Sequence, residues 1–170
     1  MGDELRLTPS ETVTIRESSA ELLEVEGSWE PRGKPPPAHY HPAQDERFEV
    51  LEGTLMARVA GRQHVLQAGE SLDIPRGTPH QIWNAGAEPM RALWQTRPRL
   101  RTDAWFRSID RLFREGKVGR GGTPGPLAYG TYLSEYDDVF RLAGPRIAIR
   151  PLVAVLGVMG RAKGYRPGPS

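Results

Sequence analysis

Hydrophobic and polar residues alternate along most of the first hundred positions, the pattern of β-strands with one buried face. In Thr12–Glu17 the apolar residues Val13 and Ile15 alternate with polar residues, and the same alternation recurs further along the chain. Glycine and proline separate these segments and indicate tight turns. Residues 1–11 are polar and are expected to be loose. The later strands are predicted at Ala20–Trp29, Glu46–Glu52, Thr54–Ala60, Gln63–Gln67, Ser71–Ile74, Gln81–Ala85 and Pro89–Thr96.

The period of the pattern changes after residue 100. In Asp103–Glu115 the apolar residues recur every three or four positions, as on one face of a helix. A glycine-rich connector at 116–125 follows, and aromatic residues then predict a second helix from Pro126 to about Leu142. A third apolar run is Leu152–Met159. The pattern therefore predicts a β-domain at residues 1–100 and a helical extension at 101–170, which packs on the β-domain or forms a dimer contact.

Composition describes an ordinary globular chain, with 38% hydrophobic and 26% charged residues. The absence of cysteine excludes disulfides and thiolate ligands. A leader-like N-terminus and an apolar run of roughly 20 residues are also lacking, so a cytoplasmic protein is expected. Residues 1–138 carry 17 bases and 21 acids, whereas the rest carries 6 bases and no acid. The β-domain therefore has no basic face for nucleic acid.

Three of the four histidines fall in two short segments of the β-domain. His39 and His41 are two apart and point to the same face of a strand. Glu46 shares a face with apolar Phe48, and a buried carboxylate is costly without a cation or hydrogen bonds. His80 follows on a later strand. Three imidazoles and a carboxylate suit Fe, Mn, Ni, Cu or Zn.

These residues lie in two longer spaced patterns. The patterns are Gly33-x5-His39-x-His41-x4-Glu46-x6-Gly53 and Gly69-x5-Pro75-x-Gly77-x2-His80-x3-Asn84. Together they resemble the two signature motifs of the cupin superfamily, with every fixed position filled. The resemblance implies a mainly β double-stranded β-helix, or jelly-roll barrel. It also implies one divalent transition metal, bound inside the barrel by His39, His41, Glu46 and His80.

A substrate pocket beside this metal is predicted from strand parity and residue type. Phe48 and Ile82 share a face with the ligands, and Met56 and Trp94 are further candidates for the pocket wall. Glu46 is expected to act as a ligand and also as a catalytic base, since a carboxylate can shift off the metal and accept a proton.

Three functions are consistent with such a site. The first is a dioxygenase-like oxidoreductase acting on a small molecule, because three histidines and one glutamate leave metal positions open for substrate or O2. The second is metal-assisted isomerisation or decarboxylation, with the ion as a Lewis acid. The third is a non-catalytic module that binds a small ligand. The fold alone does not choose among them.

Two further partners are expected besides the small molecule. A homodimer is predicted because symmetric dimers are the commonest oligomers. The run Leu152–Met159 has basic residues on both sides, which favours weak contact with an anionic membrane surface. The flanking bases are Arg146, Arg150, Arg161 and Lys163.

Overall fold

The computed structural model describes residues 3–119 and 123–168. In this part of the chain the secondary structure comprises eleven strands and three helices. The elements are β1 (Glu4–Thr8), β2 (Glu11–Ser18), β3 (Leu23–Trp29), β4 (His39–Tyr40), β5 (Asp45–Glu52), β6 (Thr54–Val59), β7 (Arg62–Gln67), β8 (Ser71–Ile74), β9 (His80–Trp83), β10 (Met90–Arg97), α1 (Thr102–Arg114), α2 (Pro126–Glu135), β11 (Arg141–Leu142) and α3 (Arg146–Ala162).

The strands form two antiparallel sheets. One sheet has the order β1-β2-β3-β10-β5-β8, and the other has the order β11-β4-β9-β6-β7. In β3 and β10 every second residue is buried, because successive side chains of a strand point to opposite faces. Buried residues of both sheets form one hydrophobic cluster. The predicted mainly β jelly-roll fold with a C-terminal helical extension is confirmed.

The extension shares the core of the barrel. Trp105, Phe106 and Ile109 of α1 belong to the same hydrophobic cluster as the strand residues, as does Tyr132 of α2. Because the apolar face of α1 is buried in this way, the helix needs no partner outside the chain to hide it. Its boundaries lie within one residue of those predicted.

The N-terminus differs from the expectation of a loose segment. Residues 4–8 form β1, which pairs with β2 and places Leu5 opposite Val13. Leu5 is 2% exposed, and the backbone N–H of Arg6 donates to a carboxylate oxygen of Asp110 in α1 at 2.9 Å. Five residues are too short a run for a clear alternation, so the pairing with β2 and α1 decides the structure.

The second helix is shorter than predicted. It ends at Glu135, and the chain then turns so that Arg141 and Leu142 form β11 against β4. The Arg141 guanidinium donates to both the backbone carbonyl and the carboxylate of Asp137, which stabilises this turn. The aromatic periodicity continues past the turn, and for that reason it could not show where the helix stops.

The third helix is longer than the apolar run that predicted it. It begins at Arg146 and passes through Pro151, whose missing N–H removes one helical hydrogen bond. Gly157 and Gly160 face α2, where an added Cβ would lie 2.8 Å from Ser134 Cβ and 2.0 Å from Thr131 Oγ1. Small residues therefore allow α3 to pack closely on α2. Among the described residues, none of the helices is long and apolar enough to cross a membrane.

Two glycines in hairpin turns allow a stability prediction. Gly53 and Gly61 both have positive φ, +77° and +83°. A Cβ on Gly53 would lie 2.5 Å from the carbonyl oxygen of Pro89, whereas a Cβ on Gly61 would meet nothing within 4 Å. We expect Gly61→Ala to lower the free energy of unfolding by about 1 kcal/mol through backbone strain alone. Gly53→Ala should lower it by about 1–3 kcal/mol more, because the methyl group also clashes.

Urea unfolding of both variants in the presence of a chelator measures the difference without a contribution from bound metal. Gly61→Ala is the matched control, since it carries the same strain without the clash. Equal losses in the two variants would show that the close approach at Gly53 has no energetic consequence.

Candidate metal centre and its cavity

Three histidines converge inside the barrel. The register of β4 and β9 places His39 directly opposite His80, and His41 follows immediately after β4. One ring nitrogen of each histidine lies within 4.8 Å of the other two. His41 and His80 are buried, and His39 is partly buried. The parity argument from the sequence is therefore consistent with the position of these side chains.

Backbone carbonyls fix the orientation of all three rings. A carbonyl oxygen can only accept a hydrogen bond, so each Nδ1 that faces one must carry the hydrogen. The Nε2 lone pairs of the neutral rings are then available to a metal, the arrangement usual for histidine ligands. The bonds run from Nδ1 of His39, His41 and His80 to the carbonyl oxygens of Pro37 (3.2 Å), Val139 (2.5 Å) and Thr78 (2.9 Å) respectively.

Glu46 reaches the same point from the other sheet. Its carboxylate oxygens lie 3.3 Å from Nε2 of His41 and 3.0 Å from Nε2 of His80. The indole N–H of Trp94 donates to Glu46 Oε1 at 2.8 Å. Glu46 is not within 4.8 Å of all three histidine nitrogens, so the tightest group is the three histidines, with Glu46 beside two of them.

Burial and charge set the protonation of these groups. Burial lowers the pKa of His41 and lowers the pKa of His39 well below its usual value, which keeps both rings neutral and able to bind metal. Burial also lowers the pKa of His80, but the Glu46 carboxylate outweighs it and the net shift is upward. Burial raises the pKa of Glu46, yet His41 and His80 bring it down to about 2.

The polar atoms at the centre fit a bound cation. His41 Nε2 and Glu46 Oε2 are buried without a hydrogen bond in the described structure. A lone pair of a neutral imidazole and a carboxylate oxygen repel each other at close range unless a positive charge lies between them. A set of three nitrogens with one carboxylate nearby is the donor chemistry of a first-row transition metal.

The centre opens onto a cavity of about 200 Å³. Aromatic side chains dominate its wall, and Phe48 stacks on Trp94 with ring centroids 5.2 Å apart. Among the described residues that line it there is no lysine or arginine. The aromatic and aliphatic lining consists of Leu7, Phe48, Ile82, Trp94, Trp105, Phe106, Ile109, Tyr129 and Phe140, with Pro36, Pro37 and Pro124.

The C-terminal extension completes this centre. Phe140 stacks on His39 with ring centroids 4.5 Å apart, and β11 pairs with β4, which carries His39. The carbonyl of Val139 accepts the hydrogen bond from His41. The extension therefore orients two of the three histidines as well as packing on the barrel.

A family model described as a cupin domain matches residues 26–96, the segment that carries all four candidate ligands. Residues 26–96 therefore form a cupin domain. The resemblance of the two spaced patterns to the cupin signatures is thereby confirmed, and the fold agrees with it.

Curated relatives match over part of this cupin. The tetracenomycin polyketide synthase protein TcmJ of Streptomyces glaucescens is 40% identical over 60 residues, which are 35% of this chain and 40% of TcmJ. An oxidoreductase of Arthrobotrys oligospora is 38% identical over 56 residues, which are 32% of this chain and 22% of that protein. The chain thus spans two fifths or less of these two relatives.

Solved structures share the fold at lower identity. KdgF from Halomonas sp. is 20% identical, with a TM-score of 0.54 over 59% of this chain and 92% of KdgF. An RmlC-like cupin from Shewanella frigidimarina is 18% identical, with a TM-score of 0.52 over 58% of this chain and 85% of that one. At these identities the likeness supports the fold and carries nothing about substrate.

The cupin barrel places three of the four predicted pocket residues in the cavity wall, namely Phe48, Ile82 and Trp94. Met56 was also predicted to line the pocket, but it is not part of the cavity wall. Its neighbours Leu55 and Ala57 point into the core and are 0% exposed, so Met56 lies on the opposite face of β6, where its register partner is Trp83. The period of two that identified the other residues excludes Met56 from the pocket.

Sequence reasoning missed the residues that reach the cavity from outside the cupin motifs. Glu11 enters from β2, Trp105 and Phe106 from α1, and Tyr129 and Phe140 from the segments after the glycine-rich connector. The helical period did identify the apolar face of α1. It could not show that this face closes a cavity above the metal centre, because that depends on how α1 docks.

A ligand substitution tests the centre. We expect His41→Ala to lose bound transition metal, since the remaining donors no longer enclose the ion. Elemental analysis of freshly purified protein measures this directly. Thermal unfolding gives a second readout, because an ion that binds the folded state raises Tm.

His64→Ala is the matched control. His64 lies in β7 and is not part of the cluster. This variant should retain the metal and respond to it as the wild type does. Metal retained by His41→Ala at the wild-type level would contradict the assignment of the centre.

Proposed function

We propose that this cupin is a metal-dependent oxidoreductase of the dioxygenase type that acts on an apolar, aromatic small molecule. The observation that carries the proposal is a three-histidine centre that opens onto a cavity with an aromatic wall and no described cationic side chain. A substrate bearing phosphate or carboxylate groups would find no cationic side chain in this wall, and only the ion itself could pair with it. A neutral planar molecule matches the wall.

The size of the cavity agrees with a substrate built on an aromatic ring. A cavity of roughly 150 Å³ is enough to hold benzene. The cavity here is about 200 Å³. Phe48 and Trp94 are among the aromatic side chains of the wall that such a molecule would contact. The partial likeness to a polyketide synthase protein and to an oxidoreductase supports a substrate of this kind and chemistry of this class.

Each side chain of the centre has a proposed role. His39, His41 and His80 hold the ion, and Glu46 is the fourth ligand. A redox-active ion such as Fe, when bound there, supplies the capacity to react with O2, and Mn, Ni, Cu and Zn are the other ions this donor set suits. Trp94 holds Glu46 in place through its indole N–H.

The pKa of Glu46 bears on its proposed second role. A pKa of about 2 leaves the carboxylate ionised but weakly basic at neutral pH. An ionised carboxylate is the form that binds a metal, and it can also accept a proton when it shifts off the ion.

A second candidate is isomerisation or decarboxylation without O2, with the ion as a Lewis acid. The observation that favours it is a carboxyl group, Glu11, on the wall of the same cavity. A proton-transfer group is what enolisation requires, and the same ligands serve both reactions. Non-catalytic binding of a small ligand is the remaining alternative.

Metal replacement distinguishes these functions. Protein stripped of metal and loaded anaerobically with Fe(II) should consume O2 when mixed with members of a phenol, thiol and diketone panel. The Zn-loaded protein should consume none, because Zn has no redox chemistry. Oxygen uptake is followed with an electrode and products by mass spectrometry.

The variants described above serve as controls for this assay. His41→Ala should abolish uptake and His64→Ala should preserve it. Product formation with Zn under strict anaerobiosis would replace the first proposal by the second. No turnover with any metal, despite ligand-dependent stabilisation, would leave a binding module.

A further inference from the structure

Glu11 is the one acidic side chain among the described residues that line the cavity. It opens β2, where register sets it opposite Thr8 of β1 and Trp29 of β3. It is partly buried, and it lines both the cavity and the groove that leads outward past Pro36 and Pro37. The position is therefore at the entrance to the metal centre.

Among the described residues, the carboxyl group of Glu11 is unpaired. In the described part of the chain no hydrogen-bond donor and no cation contacts it, in contrast to the paired acids of the outer surface such as Asp45 and Glu26. Its surroundings are the aromatic wall. Burial without compensation raises the pKa of Glu11 to about 7, which is the range in which a general acid or base works best.

An uncompensated carboxyl costs stability. A fold under no other constraint would place a neutral residue or an exposed strand position there. Groups of this kind, held in a cavity beside a metal centre, are candidates for function rather than for structure.

We infer that Glu11 is the proton-transferring catalytic residue of this site, and that the substrate is a planar apolar molecule with an exchangeable proton, such as a phenol or an enolisable aryl ketone. This inference rests on the proposed function. In the step assigned to Glu11, an O–H or C–H bond of the substrate breaks. The proton passes to a Glu11 oxygen, and the bonding pair stays on the substrate as a phenolate or enolate. The reverse transfer returns the proton, so the step itself needs no oxidant.

Other titratable groups near Glu11 enter the interpretation of any pH profile. They are His39, His41, His80 and Tyr129 in the cavity, and Glu30 and Lys34 in the adjoining groove. These groups are the same in the wild type and in a Glu11 variant. The difference between the two proteins therefore isolates Glu11.

The first measurement is stability against pH. Because the pKa of Glu11 is raised from 4.5 to about 7 in the folded protein, the folded state keeps this proton when the unfolded chain has released it. The wild type thus loses stability as pH rises through this window. We expect Glu11→Gln to have the same Tm as the wild type at pH 4 and a higher Tm at pH 8. Equal Tm values at both pH values would overturn the placement of Glu11.

The second measurement is proton transfer itself, followed with acetophenone as probe. Zn-loaded protein in D2O should accelerate exchange of the acetophenone methyl protons above the buffer rate, as read by proton NMR. Glu11→Gln should reduce that acceleration about 100-fold. Glu17→Gln, an exposed acid on the same strand, is the matched control and should exchange as the wild type does.

The two readouts separate this inference from the proposed function. Exchange with Zn under anaerobic conditions does not depend on oxidase activity, so a failed O2 assay leaves it standing. Equal exchange in the wild type and Glu11→Gln, or no exchange above buffer, would overturn the role of Glu11. Higher stability at pH 8 together with lost exchange is the outcome that a structural role alone does not give.

A second proposal rests on the outer face of α3. With its glycine face against α2, the opposite face exposes an apolar stripe, which we call the α3 stripe. Its large members are Ile147, Leu152, Val155, Val158 and Met159, exposed by 94%, 57%, 56%, 63% and 51%. Exposed apolar patches of this kind mark interaction surfaces.

The positive charges beside the α3 stripe indicate what kind of surface it binds. Arg150 and Lys163 are exposed and Arg161 is partly exposed, and none of the three has a carboxylate within ion-pair distance in the described structure. Two copies joined through this face would bring six such cations together, which is unfavourable. An anionic lipid surface offers both an apolar layer and negative charge. We propose that the α3 stripe binds anionic membrane surfaces.

Vesicle co-sedimentation tests this proposal with the full chain. We expect binding to vesicles that contain phosphatidylserine and little binding to pure phosphatidylcholine. Leu152→Ser with Val155→Ser should weaken partitioning at least tenfold, because two exposed aliphatic side chains no longer enter the lipid. Val65→Ser is the matched control, since Val65 is 52% exposed on the barrel.

Arg150→Gln with Lys163→Gln should reduce binding and its salt sensitivity, as expected for an electrostatic contribution. Wild-type protein that stays in the supernatant with phosphatidylserine vesicles would overturn the proposal. So would a dimer in sedimentation velocity that the Leu152 and Val155 substitutions convert to monomer, since the stripe would then bind a second copy.

Discussion

Three imidazoles, each donating its Nδ1 hydrogen to a backbone carbonyl, form the constraint on which the centre of this cupin depends. The carbonyls of Pro37 and Thr78 are supplied by the chain leading into β4 and β9, and that of Val139 is supplied from far along the sequence. Each bond turns a ring so that its remaining lone pair faces inward. A bound cation offsets the cost of gathering these lone pairs beside Glu46 inside the barrel.

This constraint explains why the C-terminal extension cannot be treated as an appendage of the barrel. Val139 orients His41, Phe140 stacks on His39, and β11 adds a strand beside β4. Residues of the cupin motifs and residues of the C-terminal extension are therefore in contact at His39 and His41. The contact between His41 and Val139 closes a long loop of chain. The entropic cost of closing such a loop is tolerable, because it rises only slowly with loop length. The extension also supplies the cavity ceiling through Trp105 and Phe106.

The sequence predicts the parts of this arrangement that depend on local geometry. The spacing of His39 and His41 and the parity of Glu46 with Phe48 follow from the period of a strand. The end of α2 could not be predicted, because the turn after Glu135 depends on the Arg141–Asp137 contact. The burial of Glu11 could not be predicted either, since an acid among polar residues at the start of a strand is normally expected to be solvated. Its environment is made by α1 and by residues more than a hundred positions away.

Folded proteins normally bury apolar side chains and expose charged ones, and Glu11 and the α3 stripe depart from this rule in opposite directions. One is a carboxyl group in an aromatic cavity, and the other is a row of aliphatic side chains in water. Each is unfavourable for the isolated chain, and among the described residues Glu11 has no hydrogen-bond or ion-pair partner. Sequences normally satisfy local and global preferences together, and departures concentrate where function requires them. For Glu11 the component that we infer is a molecule that exchanges a proton, and for α3 the component that we propose is a surface that is apolar inside and anionic at its face. Because one feature lines the cavity of the barrel and the other lies on the outer face of α3, substitutions can alter the two proposed functions independently.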